Sequence, residues 1–158
     1  MLLLVDIDLV APTHWWDSCR WCQRETGASF ALNAMIEADQ LVVLRGEPEW
    51  TKVPSESGAG QNIARCPTCK IALYSVYYAN PAIAKLIRFV RVGTLDTPEL
   101  LPPNAHIWTS EKQPWVVLSD KVPAFEVGYE LEDIWPAERY AKLLKDHNVP
   151  AELSPEFP

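Results

Sequence analysis

The chain carries four cysteines, and they fall in two pairs of one spacing, Cys19-Arg20-Trp21-Cys22 and Cys66-Pro67-Thr68-Cys69. No other feature constrains the fold as much. Two residues between cysteines let both thiolates turn toward one cation, and four thiolates complete a tetrahedral zinc site. In a reducing compartment the spacing points to metal before disulfides. Each pair alone is weak evidence; two pairs with no other cysteine make a joint signal for zinc.

The segments around the pairs read mostly as strands. QLVVLRG (40–46), EWTKV (49–53), QNIARC (61–66) and IALYSVYY (71–78) are short, β-rich and bounded by turn residues. KLIRFVRVGTL (85–95) is the clearest strand by composition, and HIWTS (106–110) and PWVVL (114–118) follow it. Val5 to Leu9 alternates apolar and acidic residues and reads as a strand rather than a signal peptide. A short helical turn is expected after Cys22, broken at Gly27, and a single turn after Pro81. The main helix is expected over 132–148, where Trp135, Tyr140, Leu143 and Leu144 recur at helical spacing. These elements predict a mainly β fold of zinc-stapled antiparallel sheets with a short C-terminal helix, a domain over 1–130 and a helix and tail over 131–158.

A chain of 158 residues with 48% hydrophobic and 22% charged residues has the composition of a globular domain with a real core. Its net charge of −7 argues against nucleic acid or an anionic membrane surface as a partner, since both demand a basic face. No stretch has the roughly 18 apolar residues of a membrane span. A cytoplasmic location is the expectation.

Successive blocks of the chain resemble one family. CRWCQRETGASFALNAMIEAD, ARCPTCKIALYS, RFVRVGTLD and LPPNAHIWTSEKQPWVVL are similar, in order and spacing, to the glutathione-dependent formaldehyde-activating enzymes, a family that also contains centromere protein V. The resemblance runs from about Cys19 to Pro123. It implies a pair of antiparallel sheets holding zinc, similar to the zinc-bearing methionine sulfoxide reductases. It also implies carbon–sulfur lyase chemistry, in which the thiol of glutathione adds to formaldehyde or a related electrophile. The implied partners are therefore a small-molecule thiol and an electrophile.

The departures from the family pattern bear on the metal. Members carry an early C-x-C, then C-H-C-x-x-C, then C-x-x-C, and the early and last pairs form a structural zinc site while the middle group holds a catalytic zinc. Here no cysteine precedes Cys19, and C-H-C is replaced by Asp17-Ser18-Cys19. The resemblance is thus to an N-terminally divergent member, in which a sheet edge left uncovered would favour a homodimer. Three arrangements compete. Asp17, Cys19 and Cys22 hold a catalytic zinc, and Cys66 and Cys69 are left as half a structural site. Alternatively, all four cysteines converge on one closed zinc without an open position. In the third arrangement neither pair holds metal, because two thiolates alone bind zinc poorly.

Other residues carry paired readings. Thr26 and Gly27, beside the first pair, resemble the family's substrate loop, and a plain turn explains them equally. His106 is a candidate substrate-binding or acid–base group, or a hydrogen-bonded structural histidine at a strand start. Trp108 and Trp115 read as core first and pocket wall second. His14 reads as a surface or packing residue. Three functions follow: a zinc-dependent enzyme adding glutathione to formaldehyde or a related electrophile; a non-catalytic zinc-binding module; and a thiol–disulfide oxidoreductase using Cys19 and Cys22. The last lacks the βαβ pattern a thioredoxin-like motif needs.

Overall fold

The computed structural model describes residues 4–7, 13–78 and 81–129, together with Ala137, Glu138, Ala141 and Lys145. Nine strands and two short helices follow one another in these residues. The strands are β1 (Leu4–Ile7), β2 (Thr13–Asp17), β3 (Ala31–Glu37), β4 (Leu41–Arg45), β5 (Glu49–Val53), β6 (Gln61–Arg65), β7 (Ala72–Tyr77), β8 (Ile87–Arg91) and β9 (Ala105–Ile107). The helices are α1 (Arg20–Thr26) and α2 (Pro81–Leu86). The mainly β expectation holds.

Seven strands form one sheet in the order β5-β6-β7-β8-β3-β2-β9, and β1 pairs with β4 in a separate ribbon. The two purely antiparallel sheets expected from the sequence are therefore corrected to one large mixed sheet and a ribbon. The mixture arises at one edge, where β9 runs parallel to β2, with Trp15 opposite Ala105 and Asp17 opposite Ile107. Every other pairing in the sheet is antiparallel.

The centre of the sheet is the least legible in sequence. β3, ALNAMIE, is rich in helix formers, yet it lies between β2 and β8 with every residue buried or half-buried. Its neighbours supply hydrogen bonds on both edges, and that tertiary context overrides propensity. β8 is shorter than the expected strand. Lys85 and Leu86 close α2, which opens on Pro81 where a missing N–H costs nothing, and Val92–Thr94 tighten into a 3-10 turn.

Because side chains alternate across a sheet, the pairings sort residues to two faces. One face packs Ala34, Ile36, Ala64, Tyr74, Val90, Val92 and Leu101. The other packs Trp15, Met35, Ile87, Ala105, Ile107 and Tyr129, with Trp15 edge-on to both Phe89 and Tyr129. This second face carries the site.

PWVVL (114–118) is not a strand: Trp115 and Val117 are 71% and 88% exposed. The core reading of Trp115 is corrected accordingly. The residues that follow return beside β9 instead. His106 N donates to Pro123 O at 2.9 Å, Phe125 N to His106 O at 2.8 Å and Trp108 N to Val127 O at 2.8 Å, and this strap delivers Tyr129 to the core. Most of the helix expected over 132–148, and the tail after it, lie outside the described residues; Ala137, Glu138, Ala141 and Lys145 are helical and exposed. No helix among the described residues is long and apolar enough to cross a membrane.

Candidate metal centre and cavity

β2 ends at Asp17, and the chain turns through Ser18 into α1. Cys19 caps that helix in extended conformation, its Sγ accepting the N–H of Cys22 at 3.3 Å. Asp17 Oδ1 accepts the N–H of Cys19 at 3.0 Å, so strand end and helix start are tied by the candidate ligands themselves. One ligand atom from each of Asp17, Cys19 and Cys22 lies within 4.8 Å of the other two.

Buried amides hold the helix against the body. Gln23 Nε2 donates to Ser18 O at 2.5 Å and to Glu111 O at 3.0 Å, and Gln23 Oε1 accepts from Gln113 at 2.7 Å. Glu111 Oε2 accepts the N–H of Arg20 at 2.6 Å. At the other end, Thr26 Oγ1 donates to Cys22 O at 2.8 Å and Gly27 takes a left-handed φ of 67° as the helix cap.

The electrostatics of the trio are those of acceptors short of a cation. Burial, opposed by hydrogen bonds from Cys19 and Cys22 and by the Arg91 charge, raises the Asp17 carboxyl above its ordinary value. Its hydrogen bond with Cys19, then burial, then the Asp17 and Cys19 charges push the Cys22 thiol well up. Three negative groups so close together cannot all ionise without a cation. Two sulfurs and one carboxylate oxygen are a zinc donor set, and three protein ligands leave a fourth position open. The residues present therefore fit a zinc ion, through Asp17, Cys19 and Cys22.

These residues border a cavity of about 80 Å³ on the second face of the sheet. That volume takes a few waters or a reactant of a few heavy atoms. Trp15, Phe89, Ile107, Trp108 and Tyr129 give one part an apolar wall; Asn33, Gln61, Ser75 and Arg91 give the other a polar floor. Trp108 holds a left-handed backbone (φ 54°, ψ 38°), which costs a non-glycine residue about 1–2 kcal/mol. The strap hydrogen bond to Val127 fixes it there.

Behind the floor lies an ion network. Glu25, with a side chain 5% exposed, accepts from Arg65 and lies 3.5 Å from Arg91 Nη2. Arg91 Nη1 donates to Asn33 Oδ1, its partner across β3 and β8.

The remaining predicted site residues fall elsewhere. Cys66 and Cys69 occupy a tight turn between β6 and β7, where Lys70 N donates to Cys66 O at 2.9 Å and Lys70 has a positive φ. Neither joins the Asp17 trio, so the four cysteines do not converge on one closed site. Trp108 lines the cavity; Thr26, Gly27 and His106 do not. His106, at 0% exposure, lies on the opposite face from Ile107, and its ring packs against Trp16 at 4.9 Å. Both its ring nitrogens lack a hydrogen-bond partner among the described residues, which corrects the expected hydrogen bonding. His14 is buried rather than on the surface, its backbone N–H donating to Asn104 Oδ1 at 3.1 Å. Arg91 and Asn33 escape sequence reasoning. Arg91 differs from Arg88 only in parity along the strand, and parity means nothing until the buried face is known.

The model of the glutathione-dependent formaldehyde-activating enzymes matches residues 5–111. The chain belongs to that family. The matched span contains β2 through β9, all of β1 but Leu4, both C-x-x-C pairs and every residue of the trio. No curated protein matches the chain. A crystal structure of a Rhodobacter sphaeroides protein is similar at 17% identity with a TM-score of 0.43, covering 77% of this chain and 91% of that one.

Proposed function

We propose that this family member is a zinc-dependent carbon–sulfur lyase-type enzyme, adding the thiol of glutathione to formaldehyde or a related small electrophile. The observation that carries the reading is the trio of Asp17, Cys19 and Cys22, with ligand atoms within 4.8 Å of one another, at the edge of a small cavity. When bound, zinc with an open position supplies Lewis acidity, which lowers the pKa of a thiol or polarises a carbonyl. In the addition, sulfur bonds to the carbonyl carbon, the C=O π pair moves to oxygen, and the thiol proton ends on that oxygen.

The chain's residues set the conditions for this step. Asp17, Cys19 and Cys22 hold the ion, and Gln23 fixes the helix that carries two of them. Trp15, Phe89 and Trp108 exclude water from one side of the reacting groups. A cavity of about 80 Å³ admits the electrophile and the thiol end of a tripeptide, with the rest of the tripeptide outside. Glutathione and formaldehyde as reactants rest on the family's name and on this size argument.

A second reading, a zinc-binding module without turnover, is favoured by one observation. Cys66 and Cys69 belong to no group of three donors among the described residues. The oxidoreductase reading is weakened by the fold: β2 and β3, on either side of the helix that carries Cys22, pair antiparallel, where a thioredoxin-like motif needs a βαβ unit.

The test is proton NMR of glutathione and formaldehyde with the zinc-loaded protein. The enzyme reading expects S-hydroxymethylglutathione to form faster than without protein, and this acceleration to vanish in Cys19→Ser. Zinc bound at one per chain with no acceleration supports the module instead.

A further inference from the structure

The polar floor of the cavity contains a charge that the addition of a thiol to formaldehyde does not require. Arg91 is 8% exposed and lines the cavity. Two of its three nitrogens are engaged, Nη1 with Asn33 Oδ1 and Nη2 at 3.5 Å from Glu25. Nε is buried and has no hydrogen-bond partner among the described residues. A buried guanidinium N–H left unpaired costs free energy unless an acceptor arrives.

Charge counting points the same way. Glu25 is shared between Arg65 and Arg91, so one carboxylate faces two guanidinium groups. Asp17 is the next acid along the cavity, and it is committed to the trio with Cys19 and Cys22. Glu56 also borders the cavity, on the loop opposite, but no ion pair joins it to Arg91. A guanidinium presents donors in a planar fork that matches a carboxylate.

We propose that the cavity binds a short oxo acid, a carbonyl compound bearing a carboxylate, with the Arg91 guanidinium as the donor to that carboxylate and the carbonyl group turned toward Asp17, Cys19 and Cys22. The assignment deepens the proposed thiol addition by naming its electrophile. Connectivity assigns the carboxylate to the electrophile: a short oxo acid holds its carboxylate one bond or a few from the carbonyl, whereas the carboxylates of glutathione lie several bonds from its thiol.

The experiment is isothermal titration of the metal-free and zinc-loaded protein with glyoxylate, its neutral ethyl ester and glutathione, without turnover. Glyoxylate is expected to bind wild type at least about tenfold more tightly than the ester, the worth of one charge-assisted hydrogen bond, in both metal states. Arg91→Gln is expected to erase this preference and Arg91→Lys to keep part of it, with circular dichroism confirming that both variants fold. Should Arg91→Gln not fold, the comparison of glyoxylate with ester on wild type decides. Equal binding of the two ligands overturns the proposal, as does a preference that survives Arg91→Gln. Glutathione losing as much affinity as glyoxylate in Arg91→Gln also overturns it, by assigning the carboxylate to the thiol partner. None of these readouts needs thiol addition, so failure of the lyase reading is separately visible.

Discussion

Asp17 and Cys19 are joined by a hydrogen bond of 3.0 Å from the Cys19 backbone N–H to Asp17 Oδ1. The bond aligns the carboxylate with the thiol of the same residue and with Cys22 one turn later. Asp17 thus stands where the family pattern has a cysteine, and it is held there by backbone rather than by chance orientation. A carboxylate oxygen is a harder, less electron-donating ligand than a thiolate, so a zinc site completed by it would bind the ion less tightly and leave it more acidic than an all-thiolate one.

The ligand role of Asp17 gives the first prediction. Loss of an outer-shell partner weakens a zinc site about 10- to 100-fold, and loss of a direct ligand costs at least as much. Asp17→Ala is therefore expected to weaken zinc binding by that range or more, and Asp17→Cys to tighten it. Competition with a chromophoric chelator measures both. An unchanged affinity in Asp17→Ala removes Asp17 from the site.

Gln23 couples α1 to the body through three hydrogen bonds, to Ser18, Glu111 and Gln113. Gln23→Ala leaves the Ser18 and Glu111 carbonyls short of a partner, at a cost of about 1–3 kcal/mol. For a chain of this size each kcal/mol lowers Tm by about 2–4 °C. Thermal unfolding followed by circular dichroism is expected to show that drop, together with weaker zinc binding. A variant with the wild-type Tm would mean that the helix is held by something else.

Glu25 balances two arginines from a nearly buried position. Glu25→Gln leaves Arg91 facing Asn33 alone in the sheet, and breaking a buried pair costs about 3–5 kcal/mol. Arg65 is partly exposed and recovers water, which places the expected loss at the lower end. Chemical denaturation is the check. A loss under about 1 kcal/mol, the worth of a surface pair, would contradict a buried network.

Burial lowers the pKa of both His14 and His106, against a backbone hydrogen bond with Pro102 at His14. Both are held neutral in the fold, so the unfolded chain takes up protons more readily. Their contribution to stability is full above the ordinary value of 6.5 and is lost as pH falls from there through the depressed folded values. Asp17 works in the other direction. Its carboxyl is raised chiefly by burial, so its contribution fades as pH rises from 3.8. From about pH 7.5 down to 5 the two histidines pull the Tm of the metal-free protein down, against the opposite contribution of Asp17. That pull is expected to be weaker in His14→Asn/His106→Asn. An identical slope in that variant would clear both histidines.

What was legible in the sequence follows from where each signal comes from. The strands at 41–45, 49–53, 61–65 and 72–77 announce themselves by β-branched and aromatic residues between turns, a local signal. The cap at Gly27 and the turn at Pro81 are local too. β2 and β3 are not, because Thr13–Asp17 carries two adjacent tryptophans and Ala31–Glu37 carries helix formers, and only pairing on both sides makes them strands. The trio of Asp17, Cys19 and Cys22 was legible from spacing and resemblance, since all three sit within one turn of chain. Arg91, Asn33 and Trp15 reach the same cavity from three strands, a convergence set by sheet register. Trp115 misled because an aromatic residue signals burial only where an element is present to bury it.

The central claim is that the trio binds zinc on its own, independently of Cys66 and Cys69. Elemental analysis of zinc per chain tests it directly, on wild type, Cys66→Ser/Cys69→Ser and Cys19→Ser/Cys22→Ser. The account predicts zinc in wild type and in Cys66→Ser/Cys69→Ser, and none bound at the trio in Cys19→Ser/Cys22→Ser. Loss of zinc in the Cys66→Ser/Cys69→Ser protein, or a wild type that holds none, would contradict it.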